Sequence, residues 1–281
     1  MRYRPCRLLP AGILLFTLVF LPTGAPTAAE GECGADRKGA EEMSLAGTSL
    51  LKDGVLDLEA TVKRFENLYR STSSISLAEL TVTRPRREKT LRMKVWTKGE
   101  EKALVVIDSP AREKGTATLK VERNLWNYLP RIHRTIRIPP SMMLASWMGS
   151  DLTNDDLVRD SSYSEDYTYQ LTGRTEDPSG WEIQFEAKPG AVGLWERLEL
   201  IVSDDGEIPV RARYYDRKGR LARTMHWDKV REFGGRRIPA RMILIPEDEE
   251  GHKTEMLYLE IEFDVDVPES TFSLSSLEQK R

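Results

Sequence analysis

Long runs in which apolar and polar residues alternate constrain the fold of this chain more than any other feature of its sequence. The longest extends from Leu257 to Val267 and has an apolar residue at every odd position. Shorter runs centre on Met93, Leu119 and Ile183. Because side chains two residues apart lie on one face of a strand, each run predicts a strand with one buried face and one solvent-facing face.

Short polar segments separate these runs, as at Lys98-Gly99-Glu100 and Asp204-Asp205-Gly206. Connections of this length join neighbouring strands in antiparallel order. No regular alternation of strands and helices occurs, which excludes doubly wound and TIM-barrel folds. The sequence therefore predicts a mainly β fold with few helices and about eleven to thirteen antiparallel strands.

A sheet of that size cannot remain flat, because its apolar face must curl on itself or be covered. One N-terminal amphipathic helix, predicted from Val55 to Tyr69, carries apolar residues at three- and four-residue steps. A single helix of about four turns covers only part of such a sheet. The sheet therefore closes as a barrel or half-closes around a cavity, and the residue pattern leaves both open.

The start of the chain has the organisation of a secretory signal peptide. Arg2, Arg4 and Arg7 precede an apolar run that is too short to span a bilayer, and small residues end at Ala29. We predict a signal peptide over residues 1–29, a flexible leader over residues 30–52 and one domain over residues 53–281. After cleavage Cys33 is the only cysteine, which excludes an internal disulfide bond.

The alternation stops between Pro139 and Tyr163, and the interruption is rich in methionine. Met142, Met143 and Met148 lie close to Trp147 in this segment. Met residues are frequent on surfaces that accept varied apolar partners. The segment is thus either a lid over an apolar cavity or a plug in the end of the barrel, and the residues favour neither. Thr153 and Asp156 have the spacing of a capping box, which predicts a short helix.

Catalytic and metal-binding motifs are absent from the sequence. His133, His226 and His252 are not spaced as metal ligands, and no zinc-protease, serine-hydrolase, P-loop or dinucleotide-binding motif occurs. Adjacent acidic residues fall mainly at predicted turns, where solvated charges are common. We therefore expect a protein that is not an enzyme and that requires neither a metal ion nor a cofactor.

A basic cluster formed by Arg131, Arg134 and Arg137 stands out in a chain whose net charge is -3. The overall charge does not indicate a nucleic-acid-binding protein. Guanidinium groups pair well with phosphate and carboxylate groups, so the cluster is a candidate site for a lipid headgroup or an acidic partner. An ordinary solvated strand face is the alternative, and the residues favour it somewhat.

Several stretches resemble one bacterial family, the outer-membrane lipoprotein-sorting proteins that are longer relatives of the periplasmic carrier LolA. They are Met93 to Gly99, Ile107 to Ala117, Leu125 to Pro130, Met148 to Leu157 and Tyr214 to Gly219. The resemblance implies a half-open antiparallel barrel whose mouth is filled by helices and whose apolar interior takes acyl chains. It favours the lid over the plug for the methionine-rich segment.

The resemblance also implies a function in the periplasm of a Gram-negative bacterium. A carrier of lipids or lipoprotein acyl chains between the membranes would have an inner-membrane transporter and an outer-membrane acceptor as partners. A lipid-sensing regulator on the same scaffold is the alternative, and a hydrolase ranks last because no catalytic constellation is present. The candidate cavity or lid residues are Met93, Val95, Trp126, Met142, Met143, Leu144, Trp147, Met148, Leu152, Trp181, Ile183 and Phe185.

The signal peptide gives the first testable prediction. Expressed in a Gram-negative host, the protein should be recovered from the periplasm with Glu30 as its first residue, because Ala29 ends the small-residue segment. N-terminal sequencing measures this directly. Recovery of a chain beginning at Met1 in the membrane fraction would contradict the prediction.

Overall fold

A computed structural model describes residues 50–158, 162–191 and 195–279 of the chain. The predicted signal peptide and most of the predicted leader lie outside the described residues. The described strands are β1 (Leu51–Lys52), β2 (Val55–Leu56), β3 (Ser73–Arg84), β4 (Arg87–Lys98), β5 (Lys102–Ser109), β6 (Ala117–Val121), β7 (Asn124–Leu129), β8 (Arg134–Arg137), β9 (Tyr167–Glu176), β10 (Ser179–Ala187), β11 (Arg197–Val202), β12 (Pro209–Tyr215), β13 (Leu221–Phe233), β14 (Arg236–Pro246) and β15 (Lys253–Phe263). The helices are α1 (Leu58–Asn67), α2 (Asn154–Val158), α3 (Tyr163–Asp166) and α4 (Leu274–Gln279).

Thirteen of these strands form one antiparallel sheet in the order β8-β7-β6-β5-β4-β3-β15-β14-β13-β12-β11-β10-β9. Every pair of neighbouring strands in this sheet is consecutive in the chain except β3 and β15. The chain thus starts in the middle of the sheet, builds one half out to β8, and returns from the opposite edge at β9. In the described part of the chain the two edge strands do not pair. The expected mainly β fold and half-open antiparallel barrel are confirmed.

The inner face of the sheet is continuous across both halves. Leu80 pairs with Met256, Met256 with Met242, and Met242 with Trp227, so these four side chains share one face. Directly paired residues point to the same side of a sheet. This row connects the apolar cluster on β3–β5 with the cluster on β10–β13.

The outer face of β5, β6 and β7 is also covered. Leu104, Leu119 and Tyr128 contact Phe272 and Leu277 in one buried cluster. The C-terminal segment that contains α4 therefore closes this side of the sheet. Only the opposite, inner face remains for the helices at the mouth and for a cavity.

Helix α1 is shorter than the sequence predicted. Val55 and Leu56 belong to β2, which pairs with β1, and the helix spans Leu58–Asn67. The side chain of Asp57 accepts a hydrogen bond from the backbone N–H of Ala60 at 3.2 Å, which fixes the helix start. None of the helices in the described residues is long and apolar enough to span a bilayer.

The segment from Ile138 to Val158, which we call the crossing segment, leads away from the β8 edge of the sheet. Strand β8 lies at one edge of the sheet and the next strand, β9, lies at the other. The chain between them therefore leads across the open mouth. Trp147 anchors it: this side chain is only 2% exposed and lies in the inner-face cluster with Leu80 and Met93. Its Nε1 donates to Thr118 Oγ1 at 3.1 Å.

Helix α2 in the crossing segment begins with the predicted capping box. The backbone N–H of Asp156 donates to Thr153 Oγ1 at 3.1 Å, and the N–H of Thr153 donates to Asp156 Oδ2 at 2.8 Å. These reciprocal bonds satisfy amide groups that a helix start leaves free. The local sequence is therefore sufficient to place this helix.

The burial of Trp147 gives a stability prediction. We expect Trp147→Ala to lower the free energy of unfolding by about 3–5 kcal/mol, because it leaves a cavity in the inner-face cluster. Leu144→Ala is the matched control in the same segment, since Leu144 is 61% exposed. The control should change stability by less than about 0.5 kcal/mol. Urea unfolding measures both, and equal effects would contradict the anchoring role.

Candidate functional site

A cavity of about 820 Å³ lies between the inner face of the sheet and the helices at its mouth. Helices α1, α2 and α3 contribute one wall, and strands β9, β10, β12, β13 and β14 contribute the other. This volume falls within the range of small-molecule sites, which is roughly 300–1,000 Å³. The apolar and aromatic residues of its lining include Phe65, Tyr69, Leu152, Leu157, Tyr163, Tyr167, Ala187, Trp195, Tyr214, Met225, Trp227 and Met242, and its charged residues are Arg70, Glu100, Asp155, Asp156, Asp166, Lys188, Glu196, Arg217 and Arg223.

Seven aromatic side chains contribute to the lining. The Phe65 ring lies 5.1 Å from that of Tyr163 and 6.0 Å, edge-on, from that of Trp227. Burial raises the pKa of Tyr163 well above its ordinary value, and it raises the pKa of Tyr214 in the same direction. Both phenols are therefore neutral at physiological pH. The centre of the cavity presents uncharged aromatic surface.

Arg223 enters the lining from β13 beside these aromatic rings. Its Nη1 lies 3.0 Å from Asp156 Oδ1, and both side chains are largely buried. The guanidinium also lies 4.5 Å from the ring centroid of Trp195 and 4.6 Å from that of Tyr214, within the range of cation–π interactions. Its Nε has no hydrogen-bond partner in the described residues. Since Asp156 is on α2, this ion pair ties the crossing segment to the sheet.

A second ionic contact fixes the crossing segment nearer to Trp147. Arg84 Nη2 lies 2.9 Å from Asp151 Oδ1, and Thr254 Oγ1 donates to Asp151 Oδ2 at 2.6 Å. The segment is thus held to the inner face by two ion pairs and one buried indole. Helix α2 is held further by Val158 and Leu157, which pack with Leu125 and Ile138.

Asp151 also belongs to the one group that has metal-ligating side chains within reach of each other in the described ranges. Its carboxylate, that of Glu249 and the imidazole of His252 place ligand atoms within 4.8 Å of one another. A cation there would compete with the Arg84 guanidinium for the oxygens of Asp151. The group does not line the cavity. We interpret it as an ionic contact of the crossing segment.

The structure distributes the predicted cavity residues over two layers of the inner face. Leu152 lines the cavity itself. Trp181, Ile183 and Phe185 form the apolar cluster behind the lining, where the Phe185 ring lies 5.7 Å from that of Tyr163. Met93 and Val95 share the inner face but lie with Trp147 in the neighbouring cluster.

Assignment of Trp126 to the cavity is wrong. Trp126 pairs with Leu119 and belongs to the outer-face cluster that the C-terminal segment covers. Trp126 and Tyr128 are two positions apart in β7 and therefore lie on the same, outer face of the strand. Leu125 lies on the inner face. An aromatic residue in a two-sided buried strand carries no signal of which face it occupies.

The methionine-rich part of the crossing segment is only partly buried. Met142 and Leu144 are 49% and 61% exposed, whereas Met143 and Met148 are half-buried. None of these four lines the cavity. The part of the crossing segment that lines the cavity is instead Leu152 together with Asp155, Asp156 and Leu157 of α2.

The three arginines of the basic cluster lie at the β8 edge. Arg134 and Arg137 are exposed on β8, and Arg131 is exposed in the turn before it. Among the described residues none of the three forms an ion pair; Arg137 donates to the amide oxygen of Asn124. They lie outside the cavity.

Sequence reasoning did not find Arg223, the lining cation that lies against the rings of Trp195 and Tyr214. Arg223, Met225 and Trp227 have the same parity in β13, and the latter two face inward. A cation at an inward-facing position was therefore a readable signal. Its partner Asp156 was recognised as a helix cap but not as an ion-pair partner, because 67 positions separate the two residues.

Comparison with known proteins places this architecture in a class, that of the LolA-like half-barrels. A DUF1329 family protein from Desulfovibrio piger is 26% identical and superposes with a TM-score of 0.69 over 82% of this chain and 100% of its own. A putative outer membrane lipoprotein-sorting protein domain from Vibrio parahaemolyticus is 19% identical, with a TM-score of 0.65 over 77% of this chain and 95% of its own. A LolA superfamily protein from Nitrosomonas europaea is 22% identical, with a TM-score of 0.63 over 78% of this chain and 98% of its own.

The particular family follows from the sequence. A family model described as "uncharacterized protein" matches residues 99–279, and the chain belongs to that family. Together with the structural neighbours, this match confirms the resemblance to the lipoprotein-sorting proteins. No curated protein matches the chain.

The Arg223–Asp156 pair gives a prediction about stability. Asp156→Asn keeps an acceptor for the capping box but leaves the Arg223 charge without a counterion, so we expect the free energy of unfolding to fall by about 2 kcal/mol. Asp108→Asn is the control, because Asp108 is 62% exposed and forms a weak ion pair, with its Oδ1 as far as 4.0 Å from Lys114 Nζ. That control should cost less than about 0.5 kcal/mol.

A second change isolates the charge. Adding Arg223→Met to Asp156→Asn removes the unpaired cation and should restore part of the lost stability. Urea unfolding of all four proteins measures the effect. If Asp156→Asn is as mild as the control, the ion pair does not hold α2 to the sheet.

Proposed function

We propose that this protein is a periplasmic carrier that binds the acyl chains of lipids or lipoproteins in the cavity between the sheet and α1, α2 and α3. The observation that carries the proposal is a cavity of about 820 Å³ whose lining contains seven aromatic side chains together with Leu152, Leu157, Met225 and Met242, alongside charged residues. An acyl chain needs apolar surface and no directional partners. The lining supplies that surface along α1, β10 and β13.

Transfer of the chain from water into this cavity is favourable by about 0.8 kcal/mol per methylene. Ten buried methylenes thus supply about 8 kcal/mol, from which the costs of association and of displacing α2 are subtracted. Few side chains of α2 are buried, namely Asn154 and Val158. The gain from one acyl chain is therefore large compared with the contacts that hold this short helix.

The contacts of the crossing segment suggest how the cavity opens. Trp147 and Asp151 hold the first part of the segment on the β3–β5 side, and Asp156 holds α2 on the β13 side. Release of Asp156 from Arg223 lets α2 swing away while Trp147 stays in place. In this proposal the lid is α2 with Leu152, and the preceding methionine-rich part is its anchored base.

The predicted signal peptide and the fold support a periplasmic location. The structural neighbours include a LolA superfamily protein and a putative outer membrane lipoprotein-sorting protein domain. On that basis we propose transfer of cargo between the inner and outer membranes, from an inner-membrane transporter to an outer-membrane acceptor. Native mass spectrometry of protein purified from its own periplasm would identify a retained lipid or lipoprotein.

Blocking the cavity tests the proposal. Ala187 lines the cavity at the end of β10, and Ala187→Trp adds an indole to the space that an acyl chain would occupy. We expect the affinity for a fluorescent fatty acid to fall at least about tenfold, the equivalent of losing two buried methylenes. Titration of delipidated protein, followed by probe fluorescence, measures this affinity.

Val230→Trp is the matched control. Val230 is 42% exposed on β13 and lies outside the lining, so this variant adds the same group without filling the cavity. It should bind the probe as the unmodified protein does. Equal binding by both variants, or no binding by the unmodified protein, would refute an acyl-chain site in this cavity.

A further inference from the structure

The β8 edge of the half-barrel exposes an unusual concentration of aliphatic side chains. Within the described residues, seven large apolar side chains are exposed, and four of them lie between positions 132 and 144. Ile132 is 56% exposed in the turn before β8, and Ile136 is 42% exposed on the strand. Met142 and Leu144 follow at the start of the crossing segment. We call residues 131–144 the docking rim.

The docking rim is also positively charged. Arg131, Arg134 and Arg137 are interleaved with the aliphatic residues, and no acidic residue occurs from position 123 to position 150. This is unusual in a chain with 45 acidic residues and a net charge of -3. The carboxylate of Glu278 accepts a hydrogen bond from Thr135 of the rim. The three guanidinium groups are thus left without a counterion in the described structure.

We propose that the docking rim binds the surface of an anionic lipid bilayer. Guanidinium groups form bidentate hydrogen bonds with phosphate, and aliphatic side chains beside them enter the boundary between headgroups and acyl chains. The two kinds of side chain are interleaved along the rim, as such a boundary requires. This inference does not depend on what the cavity binds.

The arrangement of the apolar residues favours a bilayer over a protein partner. Ile132 precedes the strand, Ile136 lies on it, and Met142 and Leu144 follow it, so the residues do not form one strand face. A protein partner that added a strand beside β8 would contact alternate side chains of β8. A fluid lipid surface accepts separate aliphatic groups without a complementary shape. Charge complementarity then sets which lipids are bound.

Flotation with lipid vesicles tests the proposal. The purified protein should bind vesicles of phosphatidylglycerol and phosphatidylcholine at low salt, and it should be released from them at high salt. Vesicles of phosphatidylcholine alone should bind it far more weakly. Arg131→Ser with Arg134→Ser and Arg137→Ser should lower the partition coefficient on the order of 100-fold, since each of the three arginines contributes a similar electrostatic attraction to the anionic surface.

A matched triple variant controls for the change in net charge. Arg86, Arg87 and Arg92 are also exposed and lie on the β3–β4 hairpin, so Arg86→Ser with Arg87→Ser and Arg92→Ser removes the same charge elsewhere. This variant should bind anionic vesicles like the unmodified protein. Thermal unfolding of both variants verifies that each is folded.

The aliphatic residues are tested separately. Ile132→Ser with Leu144→Ser keeps every charge and should weaken vesicle binding at least about tenfold, because two exposed apolar groups no longer enter the bilayer. The proposal fails if both triple variants lose binding equally, if the rim variants bind as the unmodified protein does, or if no anionic vesicle is bound. If the protein binds a fatty acid in its cavity but does not bind anionic vesicles, this inference is refuted and the carrier function is left intact.

Discussion

The apolar inner face of the thirteen-stranded sheet is the constraint on which the rest of this structure depends. The edges β8 and β9 do not pair in the described residues, so closure of the sheet does not bury this face. Helices and the crossing segment must cover it, and the connection from β8 to β9 passes over the mouth because of the strand order alone. Where the cover leaves a gap, the remaining apolar surface becomes a cavity.

The crossing segment combines two properties that sequence patterns presented as alternatives. At Trp147 it is a plug, because the indole is buried among Leu80, Leu91 and Met93. At α2 it is a cover held by the ion pair between Asp156 and Arg223 and by the packing of Val158. A buried ion pair is a weak source of stability because desolvation offsets its attraction. Such a contact is suited to a helix that must leave its position when cargo binds.

The two proposed sites use different chemistry at neighbouring parts of the molecule. The cavity combines aromatic and aliphatic side chains with Arg223 buried among them, whereas the docking rim is exposed and carries three arginines between aliphatic residues. Both are connected by the crossing segment, which starts at the rim and ends at the cavity. A carrier that held its cargo in the first and met a membrane with the second would bring the mouth of its barrel close to the lipid surface.

The sequence alone determined the strands, their antiparallel order and the capping box of α2, because period-two alternation and local turn and cap residues are sufficient for these features. It placed Ile183 and Phe185 on an apolar face correctly, but it assigned Trp126 to the cavity because β7 is buried on both sides. Only the tertiary structure decided which face is inner, where the chain crosses the mouth, and that Arg223 meets Asp156. These depend on pairings between distant strands, such as β3 with β15, for which a single sequence carries no local signal.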